Sequence, residues 1–215
     1  MRKYDQIALV MFASVVAALA GCSSRPPAPG ASNSAVSSAQ PSSSVVSTAG
    51  CAASDVPLVT LDPKASDEPK LAIPTPQGWE YSAAMNSPMI RGAVANKGLR
   101  ANGFTPNAVV TLEDLTGKVQ SAQQGVDAEV ASVAQGGMAV GSQVPGTACG
   151  HPSTTITYTL QNRPVTALIA AVDDGPKIWA AVLTIQTTEP DNPAYLDAKK
   201  TILNGFQFQS ASRAH

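Results

Sequence analysis

From Thr154 to Thr187 the chain reads as three consecutive strands, and no other segment restricts the fold as strongly. Thr154 to Leu160 alternates, with Ile156, Tyr158 and Leu160 on one side and Thr155, Thr157 and Thr159 on the other. A period of two predicts a half-buried antiparallel strand. Pro164 to Val172 follows, then Asp173-Asp174-Gly175-Pro176, then Lys177 to Thr187. Two apolar runs joined through an Asp-Gly turn predict a hairpin, with Trp179, Ala181, Leu183 and Ile185 on one pleat face.

Shorter signals surround this segment. Leu71-Ala72-Ile73 is a brief apolar run, Pro74 to Gly78 a turn, and Trp79-Glu80-Tyr81 extended chain. Met89 to Ala95 and Ala108 to Leu112 are strand candidates, the latter β-branched and short. Asp127 to Gln135 predicts a helix with Val126, Val130, Val133 and Ala134 along one face, ended by Gly136-Gly137. Asn192-Pro193 opens a second helix, with Asn192 as N-cap. Its stripe is Tyr195, Ala198, Lys199 and Ile202, and Gly205 is expected as a left-handed cap. Phe206 to Gln209 closes as a strand. Hairpin-linked strands with a few separate helices predict an α+β fold with a mostly antiparallel sheet and helices on one face. Residues 51–210 suffice for a single domain, and the tail 211–215 is polar.

The N-terminal part fixes an address. Arg2 and Lys3 precede an apolar stretch, Ile7 to Ala20, which ends in Leu19-Ala20-Gly21-Cys22. Those 14 residues would rise only about 21 Å as a helix, short of a hydrocarbon core of about 30 Å. A signal peptide over residues 1–21 fits better than a membrane span. The tetrapeptide is a lipobox: small residues admit a signal peptidase, and Cys22 carries the lipid. Acyl chains of the palmitate class contribute about 0.8 kcal/mol per buried methylene, so two or more anchor firmly. The expected location is the extracytoplasmic side of the cell membrane. An ordinary secretory signal, with Cys22 incidental, is the alternative.

Residues 22–50 follow the anchor as a Ser/Pro/Ala-rich stretch with one charge, Arg25, and no aromatic. Such a composition cannot bury enough apolar surface to offset its ordering entropy. It reads as a tether with a span of roughly 30 Å, a wall-penetrating stalk or a glycosylated segment. Cys51 and Cys149 are the remaining cysteines, an even pair in an oxidising compartment, and a disulfide is the natural assignment. A metal site using Cys149 and His151 is the poorer alternative, with too few ligands nearby. The chain has 14 basic and 15 acidic residues. Cleavage removes Arg2, Lys3 and Asp5 and leaves 12 and 14, a net charge of −2. Nothing in this balance attracts a nucleic-acid backbone or an anionic lipid surface, and neutral or apolar partners are expected over strongly charged ones.

Four segments occur in an order that resembles a known family. They are Ile73-Pro-Thr-Pro-Gln-Gly-Trp79, Ala108-Val-Val-Thr-Leu-Glu-Asp-Leu-Thr-Gly117, Gly150-His-Pro before Ile156-Thr-Tyr158, and Leu203-Asn-Gly-Phe206. Together with the lipobox they resemble the LpqN/LpqT-type lipoproteins of mycobacteria and their relatives, over roughly residues 60–209. The resemblance implies a PsbP-like α/β/α sandwich, a central antiparallel sheet with helices on both faces. It also implies a cell-envelope protein without an established catalytic activity, and it carries no catalytic motif over to these residues.

The residues themselves offer little chemistry. His151 sits in Cys149-Gly-His-Pro and reads as a turn residue. As a base it would need a nucleophile and an orienting acid; Ser153 is near in sequence, but no Gly-x-Ser-x-Gly elbow is present. Glu113-Asp114 and Asp173-Asp174 read as solvated acids, since adjacent strand residues point to opposite faces. The spaced ligands of a calcium loop are missing. No catalytic residue, metal site or cofactor is expected. Trp79 and Trp179 read first as core. Trp79, Tyr81, Met85, Met89 and Trp179 could instead line an apolar cleft for an acyl chain or glycolipid. The expected role is a non-enzymatic binding domain for an amphiphilic envelope molecule or a membrane-protein partner. An esterase-like hydrolase of envelope lipids and a passive surface protein are the alternatives.

Overall fold

The computed structural model describes residues 50–211. The expected signal peptide, Cys22, the expected tether up to residue 49 and the last four residues lie outside them. The elements are β1 Leu58–Leu61, β2 Lys70–Pro74, β3 Glu80–Ser82, β4 Ile90–Ala95, β5 Asn107–Asp114, α1 Ala122–Gln135, β6 Gln143–Ala148, β7 His151–Leu160, β8 Arg163–Asp174, β9 Lys177–Gln186, α2 Pro193–Gly205 and β10 Gln207–Gln209. The fold is α+β.

Seven strands form an antiparallel sheet in the order β3-β4-β5-β9-β8-β7-β6, and β1, β2 and β10 form a smaller one in the order β1-β2-β10. Turn chemistry sets the registers. Asp174 pairs with Lys177 across Gly175 and Pro176, and Gly175 takes φ +67°. Leu160 pairs with Arg163 across Gln161 and Asn162, both at positive φ, as a two-residue hairpin of matching twist requires. Cys149 and Gly150, also at positive φ, turn β6 into β7. His151 is therefore the first residue of a strand, paired with Ala148, and it is buried with its ring centre 5.8 Å from that of Phe208, edge to face.

Alternation along the central strands builds two cores. Trp179, Ala181, Leu183 and Ile185 of β9, with Ala108, Val110 and Leu112 of β5, face α2 and the small sheet. Ala180 of β9 and Ala167, Ile169 and Ala171 of β8 face α1. Helices thus lie on both faces, as the resemblance implies. The one-sided arrangement expected from periodicity alone is corrected, because β10 returns to β2 and carries α2 across the opposite face.

Local rules explain the helix ends. Ser121 Oγ accepts from Gln124 N–H at 3.2 Å, an N-cap that starts α1 five residues before Asp127. Ala134 is exposed and off the packed stripe, while Val126, Val130 and Val133 pack on the sheet. Asn192 Oδ1 accepts from Ala194 and Tyr195 N–H and caps α2. Gly205 is the last helical residue and does not take positive φ. Its requirement is space: a Cβ there would lie 2.9 Å from Pro74 Cγ, so the expected left-handed cap is corrected to a close approach of α2 to β2. A disulfide links Cys51 to Cys149 across 98 residues and ties the start of the described chain to the β6–β7 turn. Among the described residues no helix is long and apolar enough to cross a membrane.

Candidate functional site

Of the five residues expected to share an apolar cleft, Trp79, Tyr81 and Trp179 meet in one core, whereas Met85 and Met89 lie on a loop. Trp79 and Trp179 are 4 % and 5 % exposed and belong to the core under α2. Their Nε1 atoms are buried without a hydrogen-bond partner, so the rings chiefly supply volume. Tyr81 is half-buried against the same core. Met85 is 44 % exposed and Met89 half-buried, both on the loop between β3 and β4. The physical reason is the pleat: β9 turns Trp179 inward with Leu183 and Ile185.

That loop borders a different depression. A pocket of about 440 Å³ is lined by Lys64, Glu68, Asn86, Ser87, Pro88 and Arg91. Its walls are the β1–β2 loop and the β3–β4 loop. The first is held by two consecutive acids reaching two cations. Asp67 meets Lys177 Nζ at 2.8 Å, and Glu68 meets Arg91 Nη2 at 2.8 Å. Lys177 also meets Asp114 at 3.3 Å and lies 4.9 Å from the centre of the Trp179 ring. The Lys177 hydrogen bond is the largest influence holding the Asp67 carboxyl below its usual range. The second loop is closed by Ser87, whose Oγ accepts from Met89 and Ile90 N–H. Asn86 Nδ2 donates to Tyr81 Oη at 3.4 Å.

The pocket holds a buried ion pair. Arg91 is 4 % exposed, although arginine is seldom buried unless paired. Glu68 spends one oxygen on the guanidinium and the other on Lys64 N–H, at 2.8 Å. Arg91 Nε and Nη1 and Asn86 Oδ1 remain buried without partners. A buried polar group left unpaired costs about 1–3 kcal/mol, and native structures rarely collect several in one place. Sequence reading missed this site because Glu68 and Arg91 stand 23 positions apart and no local pattern joins them.

The acids expected to be solvated are engaged. Glu113 pairs with Lys118 at 2.7 Å. Asp114 meets Lys177 and also accepts from Thr116 N–H at 2.9 Å. Asp173 is exposed and accepts from Ala122 N–H at the start of α1. Asp174 is buried and accepts from Ser210 Oγ–H at 2.5 Å and Ala211 N–H at 2.7 Å. It clamps Ser210 and Ala211 to β8, and both aspartates end a strand instead of occupying the turn. Cys149 lies in the disulfide, which removes it from the metal pair considered with His151. Glu129, half-buried on α1, is pushed up from an ordinary 4.5 to about 7 by burial and, next, by the Glu113 charge; Lys118 opposes this.

A family model described as "Probable lipoprotein LpqN" matches residues 52–209. A comparison with curated proteins gives no match. Among solved structures, the crystal structure of LpqN involved in cell envelope biogenesis of Mycobacterium tuberculosis is similar, with a TM-score of 0.55. It is 14 % identical over 72 % of this chain and 92 % of that one, a likeness of fold.

Proposed function

The chain belongs to the LpqN lipoprotein family, and on that premise we propose a lipid-anchored, extracytoplasmic envelope protein whose domain binds an amphiphile or a membrane-protein partner without chemical change. The lipobox at Cys22 supports the anchor. The involvement of Mycobacterium tuberculosis LpqN in cell envelope biogenesis supports the setting. The observation that carries the binding role is the pocket between the β1–β2 and β3–β4 loops. It combines unpartnered polar groups, at Arg91 and Asn86, with an adjoining loop that exposes Met85. Apolar and polar surface side by side is what an amphiphile requires, and methionine adapts to varied apolar groups.

Photo-crosslinking in cells tests this reading. A photoreactive amino acid replacing Met85 is expected to yield adducts with an envelope lipid or a membrane protein, identified by mass spectrometry of both classes. The same probe at exposed Val144 on β6 serves as the reference. Equal adduct profiles at the two positions would count against a binding role for the pocket.

A further inference from the structure

Building on the binding role above, we propose that the pocket is a subsite for an oxyanion, a phosphate or carboxylate, borne as the head group of an amphiphile. The argument is a balance of donors and acceptors. A guanidinium has five N–H groups. Glu68 engages Arg91 through Nη2, while Nε and Nη1, which carry three N–H groups between them, meet no acceptor. Lys64, exposed on the same lining, makes no ion pair among the described residues. Against these donors, the unpartnered buried acceptor on the lining is Asn86 Oδ1. The site therefore lacks acceptors, and an oxyanion supplies several in one compact group.

Charge points the same way. Lys64, Arg91 and Glu68 are the ionisable lining residues and sum to one positive charge. Glu68 opposes an anion, but both its oxygens already accept hydrogen bonds. It fixes the guanidinium plane and leaves Nε and Nη1 for a ligand. Asn86 Oδ1 suits a hydroxyl beside the acid, as in a phosphorylated polyol or a hydroxy acid. Exposed Met85 on the adjoining loop and Pro88 on the lining offer apolar contact for the chain.

Calorimetric titration of the full-length lipoprotein in phosphatidylcholine nanodiscs tests this, with empty discs as background. Hexyl phosphate, hexyl glucoside and inorganic phosphate are the probes. Hexyl phosphate is expected to bind about tenfold tighter than either of the others. Lys64→Ala is expected to weaken hexyl phosphate about three- to tenfold with an unchanged melting temperature. Removing Arg91 alone would strand Glu68 as a buried charge. The neutral double variant Glu68→Gln/Arg91→Gln therefore tests the pair, and it should lose the preference for phosphate over glucoside. Equal binding of hexyl phosphate and hexyl glucoside, indifferent to Lys64→Ala, overturns the oxyanion subsite and leaves the binding role standing. Inorganic phosphate binding as tightly as hexyl phosphate overturns the head-group assignment and points to a free-anion site. Absence of heat from all three probes overturns the subsite.

Discussion

Phe208→Ala is expected to lower the free energy of unfolding by about 3–5 kcal/mol. Phe208 is fully buried although its strand, β10, has three residues. It pairs with Leu71 of β2, its ring meets the edge of His151, and its N–H donates to Cys149 Sγ at 3.2 Å. The backbone of this residue joins the small sheet to the β6–β7 turn, and its ring fills the core under α2. Truncation leaves a cavity that strands on both sides are too constrained to fill. Against a typical total of about 5–15 kcal/mol, that loss is a large share. Urea unfolding measures it, and a change below about 1 kcal/mol would show that β10 does not hold the two sheets together.

The second large effect is pH-dependent. Glu129 has its pKa raised in the folded state, from 4.5 to about 7. Between those values the folded chain binds more protons than the unfolded chain, so stability falls as pH rises through the window and levels off above it. After allowance for partial exposure the fall is about 2 kcal/mol. Glu129→Gln removes the titrating group. Its stability should be flat from pH 5 to 8 in this respect and should exceed that of the wild type at pH 8. Unfolding curves at pH 5 and pH 8 decide the matter: a difference between variant and wild type that does not change with pH would refute the assignment of this titration to Glu129.

These predictions depend on parts of the fold that differ in how plainly the sequence announces them. The β8–β9 hairpin is legible because alternation and turn residues agree: Trp179, Ala181, Leu183 and Ile185 occupy one buried face. Capping also reads directly at Asn192. The start of α1 is less plain, since its first turn has no apolar stripe. Ser121-x-x-Gln124 is the signal that marks it, as a capping pattern, and Gln124 Oε1 indeed reaches back to Gln120 N–H at 2.8 Å. Strand β6 gives no periodic signal. Its residues are almost all exposed, Pro145 and Gly146 interrupt it, and backbone pairing with β7 alone defines it. Strand β1, four residues long, is equally silent and gains its place by pairing with β2.

The site was less legible than the fold for a related reason. Aromatic and methionine residues are ambiguous between core and ligand surface, and the sheet resolves the ambiguity by sending both tryptophans inward. The polar site depends on a loop, Asp62 to Pro69, being pinned across the end of the large sheet by Asp67 and Glu68. No local pattern encodes that contact. What does mark it is the burial of Arg91, visible only once β4 has its register.

Native mass spectrometry of the protein released from its own membranes in mild detergent tests the central claim most directly. The expected spectrum shows a chain beginning at acylated Cys22, with an additional non-covalent amphiphile that leaves on activation at its intact mass. A chain retaining residues 1–21 without lipid, or one carrying no ligand or only cleaved lipid fragments, would contradict an anchored domain that binds without reacting.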